Sequence, residues 1–166
     1  LTLDRDLTWT ADARKARPFS VALDREVASV ALADIGYAAQ IAGAEIGRGI
    51  WAFSLDGVFA GQVGPADDSL TALFTGQWGR QSDDGSFAGS PYAYTLADRR
   101  AGAYWNGYDE DVRDEDLAHI RTSYAEQSDR EVEDYMFGWL TGGAWASSMG
   151  WRFDPPATVD VFLSPG

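Results

Sequence analysis

The chain has no cysteine, and this absence excludes several kinds of chemistry. Without thiols it can form no disulfide, thiolate metal site, iron–sulfur cluster or cysteine nucleophile. His119 is the single histidine, so sites built from several histidines are excluded as well. No G-x-S-x-G motif supplies a serine nucleophile for His119 to activate. We therefore predict no catalytic residue, no metal ligand set and no cofactor.

Positive charge and long apolar runs are also scarce. The formal net charge is −13, and Lys15 is the only lysine among 13 basic residues, a bias typical of a GC-rich bacterial genome. Proteins that bind nucleic-acid backbones need positive surfaces, so this balance argues against nucleic-acid partners. No apolar run approaches the roughly 20 residues of a membrane helix, which argues against membrane insertion.

Length and composition are those of an ordinary globular protein. The 166 residues suit a single domain over residues 1–166, and 45% of them are hydrophobic, enough for a sizeable core. The chain starts at Leu1 without a methionine, which we interpret as a processed or excised form. Because the lack of cysteine is compatible with it, we favour an extracytoplasmic or secreted localisation.

The middle of the chain alternates apolar and polar residues with the period of a β-strand. Asp56 and Gly57 form a strong hairpin signal between two such stretches. A last alternating stretch, 158–163, predicts a closing strand near the C-terminus. The other predicted strands are 51–55, 59–63, 70–78, 92–96 and 101–105. Together they predict a curved antiparallel β-meander, either an open sheet or a partly closed barrel.

Residues 24–47 predict a helix in the N-terminal half. Asp24 can cap it, and apolar residues such as Val27, Val30 and Ile35 recur at helical spacing. Glycines inside the stretch each cost about 1 kcal/mol relative to alanine in a helix. The same residues therefore also fit two alanine-rich strands.

Two further helices are predicted in the C-terminal half. The first begins near Asp114 and places Leu117, Ile120 and Tyr124 on one face. The second begins at a capping box, 128–131, and its apolar residues follow a helical period. Those residues are Val132, Tyr135, Met136, Trp139, Leu140 and Gly143. With the meander, these helices predict an α+β fold.

Aromatic residues dominate the candidate binding site. The chain has 7 Trp, 7 Tyr and 8 Phe, many of them on adjacent predicted strands. Aromatic rings beside polar groups suit sugar rings or an apolar ligand. We predict ligand binding by seven residues: Trp78, Tyr92, Tyr94, Trp105 and Tyr108, with Asp109 and Asp111 as polar anchors. The alternative is that these rings pack in the core. The favoured function is a non-catalytic binding protein for a small molecule or glycan.

The segment 109–134 holds 11 of the 26 acidic residues. Three interpretations stay open. Acidic residues favour the first turns of helices, two of which are predicted here. Asn106, Asp109, Asp111 and Asp114 also offer hard oxygen ligands for a cation. Finally, the segment could bind a basic protein partner, as acidic inhibitors and immunity proteins do.

A third functional alternative is a cofactor-free isomerase or cyclase. Such an enzyme would work through a shaped aromatic pocket and one or two carboxylates, and it leaves almost no sequence motif. The oligomeric state stays open at this level.

Overall fold

A computed structural model describes residues 10–25, 27–125, 131–137 and 147–164, together with Asp6 and Thr8. Within these residues the helical segments are two three-residue 3₁₀ turns, Ala13–Lys15 and Asp114–Asp116. None of the described helical segments is long and apolar enough to span a membrane. The strands are β1 (Arg17–Leu23), β2 (Ala28–Ile41), β3 (Ala44–Ala52), β4 (Phe59–Ala60), β5 (Leu70–Arg80), β6 (Tyr92–Ala101), β7 (Tyr108–Val112), β8 (Ala118–Tyr124), β9 (Val132–Tyr135), β10 (Gly150–Phe153) and β11 (Ala157–Leu163).

These strands form a layered β structure. A six-stranded sheet has the order β3-β2-β5-β6-β11-β8, and only its β6–β11 pair is parallel. A three-stranded sheet, β4-β1-β7, covers one face of it, while the β9–β10 pair packs on the other face. The six-stranded sheet is therefore buried on both faces over much of its length.

The main core lies between the six-stranded and three-stranded sheets. Phe74 and Trp78 on β5 point toward Phe19 on β1, and all three are 2% exposed or less. The ring centroids of Phe19 and Phe74 are 5.0 Å apart in an edge-on arrangement. Burial of one such side chain contributes about 1.5–3 kcal/mol, so this cluster holds the two sheets together.

A second, smaller core lies on the opposite face of the six-stranded sheet. Trp151 and Phe153 of β10 pack against Ala93 of β6 and Val161 of β11. Side chains alternate along a strand, so Ala93 and Tyr94 point to opposite faces and serve different cores. This alternation places polar Gln77 on the β9–β10 side.

The helix predicted over 24–47 is wrong. Residues Ala28–Ile41 form β2 and Ala44–Ala52 form β3, the two strands of the alternative interpretation. Ala42 and Gly43 join them with φ values of 51° and 81°, the left-handed conformation of a tight hairpin. Because β2 is buried on both faces, its apolar run loses the alternation of a half-exposed strand and its spacing mimics a helix.

The α+β prediction with two C-terminal helices is also wrong. Ala118–Tyr124 forms β8, which pairs with β11 over seven positions, and only Asp114–Asp116 is helical before it. Val132–Tyr135 forms β9, which pairs with β10. Long-range pairing thus overrides the local helical spacing. Residues 128–130 of the predicted capping box, with Trp139, Leu140 and Gly143, lie outside the described residues.

Most of the pairing in the described sheets is antiparallel, but the predicted meander is wrong: of its consecutive strands only 70–78 and 92–96 pair, as β5 and β6. β5 and β11 match their predicted positions. The two predicted strands 92–96 and 101–105 require a turn between them, at 98–100. No turn forms there, because β6 continues to Ala101, and residues 102–105 form no strand. Residues Phe59–Ala60 pair with β1 in the other sheet. Within the described residues the six-stranded sheet ends at β3 and β8, so it is open rather than barrel-like.

Candidate functional site

An open cleft of about 850 Å³ lies between the two sheets at one end of the main core. One wall is β1, the other is the start of β2 with the end of β5, and the loop after β3 closes one side. Cavities of roughly 300–1,000 Å³ are typical of small-molecule sites. β4 pairs only with Arg17 and Pro18 of β1, and the cleft lies along the rest of β1, to Leu23.

The cleft has an apolar floor. Trp78 and Phe19 are almost fully buried and line its base. An added Cβ at Gly76 would overlap the ring of Trp78, so this glycine allows the indole to lie against the sheet. Further apolar lining residues are Val21, Leu23, Ala28, Val30, Leu55 and Val58. The floor can therefore hold an apolar molecule.

Two exposed phenylalanines form the rim. Phe53 and Phe59 are 68% and 58% exposed, at the two ends of the loop that closes the cleft. Val58 N donates to Leu55 O at 3.0 Å, and Gly57 has a φ of 75°, so the loop makes a tight turn at Asp56 and Gly57. The turn predicted at Asp56 and Gly57 forms, but the predicted hairpin does not, because β3 pairs with β2 and β4 with β1. The turn places both rings at the mouth of the cleft.

Arg25 is the one basic residue that lines the cleft, among the residues the structure describes. Its guanidinium lies over the rings of Tyr92 and Phe162, with Cζ at 4.7 and 5.0 Å from their centroids. Its Nε is 3.5 Å from Oδ2 of Asp114. Cation–π contacts and this ion pair hold the guanidinium beside the cleft. The side chain stays about one-third exposed, at 34%.

Asp114, the ion-pair partner of Arg25, is itself held by hydrogen bonds, one of them to the core. The hydroxyl of Tyr94 donates to Oδ1 of Asp114, and Asp114 N donates to Oδ2 of Asp24 at 2.7 Å. Burial raises the pKa of Tyr94 well above its ordinary value, and the hydrogen bond and charge of Asp114 raise it further, while Arg25 opposes them. Tyr94 therefore stays a neutral donor at physiological pH.

Four of the five predicted aromatic site residues lie in the core. Trp78, Tyr92, Tyr94 and Trp105 are all 4% exposed or less. Trp78 contributes to the cleft floor and Tyr92 supports Arg25. Nε1 of Trp105 donates to the carbonyl of Leu73 at 3.3 Å. Their packing matches the core alternative, and their roles toward a ligand stay predictions.

Tyr108 and its two predicted polar anchors lie on opposite faces of β7. The ring of Tyr108 stacks on Phe19 in the core, with centroids 4.6 Å apart. Burial raises its pKa well above the ordinary value. Asp109 and Asp111 are exposed on the outer face, where Oδ1 of Asp109 accepts from the Ser20 hydroxyl at 2.7 Å. The structure therefore does not bring these carboxylates to the aromatic rings.

The acidic segment 109–134 does not form one continuous face. β7 carries Asp109, Glu110 and Asp111 on the three-stranded sheet, whereas β9 carries Glu133 and Asp134 across the six-stranded sheet. In the described part of the chain, no three acidic or histidine side chains are grouped to hold a metal ion. Residues 126–130, which include Glu126 and Asp129, lie outside the described residues.

Sequence reasoning missed Arg25, Phe53 and Phe59 as site residues. A signal existed for the two phenylalanines, since both flank the recognised Asp56–Gly57 turn. Arg25 had none, because its role depends on rings of β6 and β11 that are distant in sequence. No family model, no curated protein and no solved structure matches this chain. Function must therefore be argued from the geometry.

Proposed function

We propose that this protein binds a small, largely apolar molecule in the cleft between its two sheets, without transforming it. The observation that carries the proposal is the cleft itself, about 850 Å³ with an apolar floor and two exposed phenylalanines at its mouth. A ligand that covers the apolar floor and the phenylalanines at the rim removes their surface from water, which favours binding. The two exposed phenylalanines keep apolar area in contact with water, and a ligand that covers the rings removes this contact.

Arg25 narrows the ligand class. A guanidinium held at the wall by two rings can donate hydrogen bonds to an acceptor or anionic group without a large loss of side-chain freedom. Asp56, the one carboxylate among the described lining residues, is exposed at the rim. We therefore expect a ligand with an apolar body and one carboxylate, sulfonate or carbonyl end.

The two alternatives have less support in the geometry. An acidic surface for a basic partner would need residues 109–134 together, but β7 and β9 lie on different sheets. A cofactor-free isomerase would need a carboxylate inside an aromatic pocket, and the described cleft has only the exposed Asp56. Both stay hypotheses, and binding in the cleft is preferred.

A matched pair of fluorescent probes tests the proposal. Anilinonaphthalene sulfonate and phenylnaphthylamine share their rings, but only the first has a sulfonate. We expect both to bind and Phe59→Ala to weaken both several-fold, since it removes apolar contact. Arg25→Met should weaken only the sulfonate probe, about tenfold, because it keeps the stem and loses the charge.

The controls are residues outside the cleft. Phe137 is an exposed phenylalanine and Arg113 an exposed arginine, and neither lines the cleft. Phe137→Ala and Arg113→Met should leave both affinities unchanged. Circular dichroism confirms that each variant folds. The cleft is rejected as the site if neither probe binds, or if the cleft and control variants lose the same amount of probe affinity.

A further inference from the structure

The two edges of the six-stranded sheet differ in chemistry. β8 presents the polar side chains of His119 and Arg121 on either side of Ile120, and charged residues such as Arg121 protect an edge from pairing. β3 presents three large apolar side chains, Ile46, Ile50 and Trp51 at 39%, 56% and 69% exposure, with Glu45 and Arg48 exposed beside them. An edge of this kind is typical of a strand that pairs with another chain.

The β3 edge is long enough for such pairing. All nine residues of Ala44–Ala52 pair with β2, so the strand is held straight over its full length. No described strand pairs with its other side. Within the described part of the chain, the backbone groups on that side can therefore bond with a strand of a partner.

The β3 edge is also electrically neutral in a strongly acidic protein. Residues 41–53 contain one acid, Glu45, and one base, Arg48, while the whole chain has a net charge of −13. Two copies repel each other least where the local charge is zero. A basic partner would gain no electrostatic attraction at this neutral edge. A second copy of this chain would meet little electrostatic repulsion there, so we take it as the partner.

We propose that two copies of this chain associate through antiparallel pairing of their β3 strands. A two-fold axis perpendicular to the sheet joins the two six-stranded sheets edge to edge and keeps each face continuous across the pair. The interface is isologous, so each contact occurs twice.

The side chains of β3 select the register. An axis through Gly49 places Trp51 opposite Gly47 of the second copy, and Arg48 opposite Ile50. The glycine of the second copy leaves space beside the indole, which stays hydrogen-bonded to Asp34 of its own β2. No like charges face each other in this arrangement.

Registers shifted toward the hairpin are less favourable. An axis through Arg48 places the two guanidinium groups directly opposite each other, which is destabilising. An axis through Gly47 draws the hairpin residues Ala42 and Gly43 toward the pairing region, where their positive φ values end the strand. The axis through Gly49 avoids both problems.

Sedimentation velocity over a range of concentrations tests the association. We expect a reversible dimer that tightens between about 0.02 M and about 0.5 M salt, because salt screens the net repulsion of two acidic molecules. Ile50→Lys should raise the dissociation constant at least tenfold, since it places lysine opposite Arg48 of the second copy. Ile120→Lys is the matched control on β8, where the isoleucine is 49% exposed, and it should change nothing.

Cysteine cross-linking tests the register, because the chain has no cysteine of its own. Residues opposite each other on paired strands have Cα atoms about 4.5–5.5 Å apart, within disulfide reach. Gly49→Cys should therefore form a disulfide dimer under mild oxidation, and Arg48→Cys should not. A monomer at every concentration, or equal effects of the two lysine variants, would overturn the interface. Cross-linking through Arg48→Cys alone would overturn the register.

Discussion

The indole Nε1 of Trp51 donates a hydrogen bond to Oδ2 of Asp34 at 3.1 Å. The two residues are register partners on β3 and β2, so their side chains share a face of the sheet. Asp34 is 2% exposed, whereas Trp51 is 69% exposed. The hydroxyl of Ser147 donates to the same carboxylate oxygen. An exposed ring on the sheet edge is thus held in place by a buried carboxylate.

We predict that Trp51→Phe lowers the free energy of unfolding by about 1.5–3 kcal/mol, because it removes a donor to a buried carboxylate. Urea unfolding followed by circular dichroism measures the change. Phe53→Leu is the control, since Phe53 is equally exposed and has no polar atom, and it should cost less than about 0.5 kcal/mol. Equal losses in the two variants would show that the hydrogen bond contributes nothing.

Gln77 joins the six-stranded sheet to the segments that flank the β9–β10 pair. Its Oε1 accepts from Met149 N at 2.7 Å, and its Nε2 donates to the carbonyl of Met136. The side chain is 1% exposed, so its amide forms these two hydrogen bonds in the protein interior. One residue therefore fixes both sides of this covering layer.

Gln77→Met should destabilise the protein by about 2 kcal/mol or more. Methionine keeps the volume but leaves the Met149 N–H without its acceptor, while the Met136 carbonyl keeps the Ser148 hydroxyl as a donor. Faster hydrogen exchange at Met149, together with urea unfolding, measures the effect. Gln81→Met is the control, because the exposed Gln81 bonds only a loop carbonyl, that of Gly85, at 2.7 Å. An exchange rate at Met149 like that of the unaltered protein would contradict the prediction.

Alkaline pH should unfold the protein through three tyrosines, of which Tyr94 is buried and Tyr108 and Tyr124 are partly buried. Burial is the main cause that raises the pKa of Tyr94, Tyr108 and Tyr124 above the ordinary value of 10.0. The unfolded chain releases these protons first, so this stabilisation is complete below about pH 10 and is lost as the pH rises above it. Absorbance near 295 nm should show these tyrosines ionising together with unfolding. Their ionisation near pH 10 in a still-folded protein would contradict the prediction.

Several local features could be predicted from the sequence because they depend on few neighbours. The alternation of residues 70–78 and 158–163 predicted β5 and β11, and Asp56–Gly57 predicted the turn at the cleft mouth. Each signal is local: the alternation of apolar and polar residues along a strand, or a glycine that adopts a positive φ in a turn.

The site residues could not be predicted in the same way. The sequence predicted Tyr92 and Tyr94 as part of a ligand-binding surface, yet their rings lie beneath the three-stranded sheet. β1 and β7 form that cover as a parallel pair about ninety residues apart in sequence, so no local pattern reports it. Arg25 becomes a site residue only because β6 and β11 bring two rings beneath it.

By itself, the sequence determined which chemistry is excluded. The absence of cysteine, the single histidine and the net charge of −13 hold for any fold of this chain. Tertiary structure alone decided that residues 28–41 form a strand rather than a helix, and that most of the predicted aromatic surface lies in the core. The reason is physical: burial on both faces removes the alternation that marks a strand, and pairing with distant strands outweighs local preference.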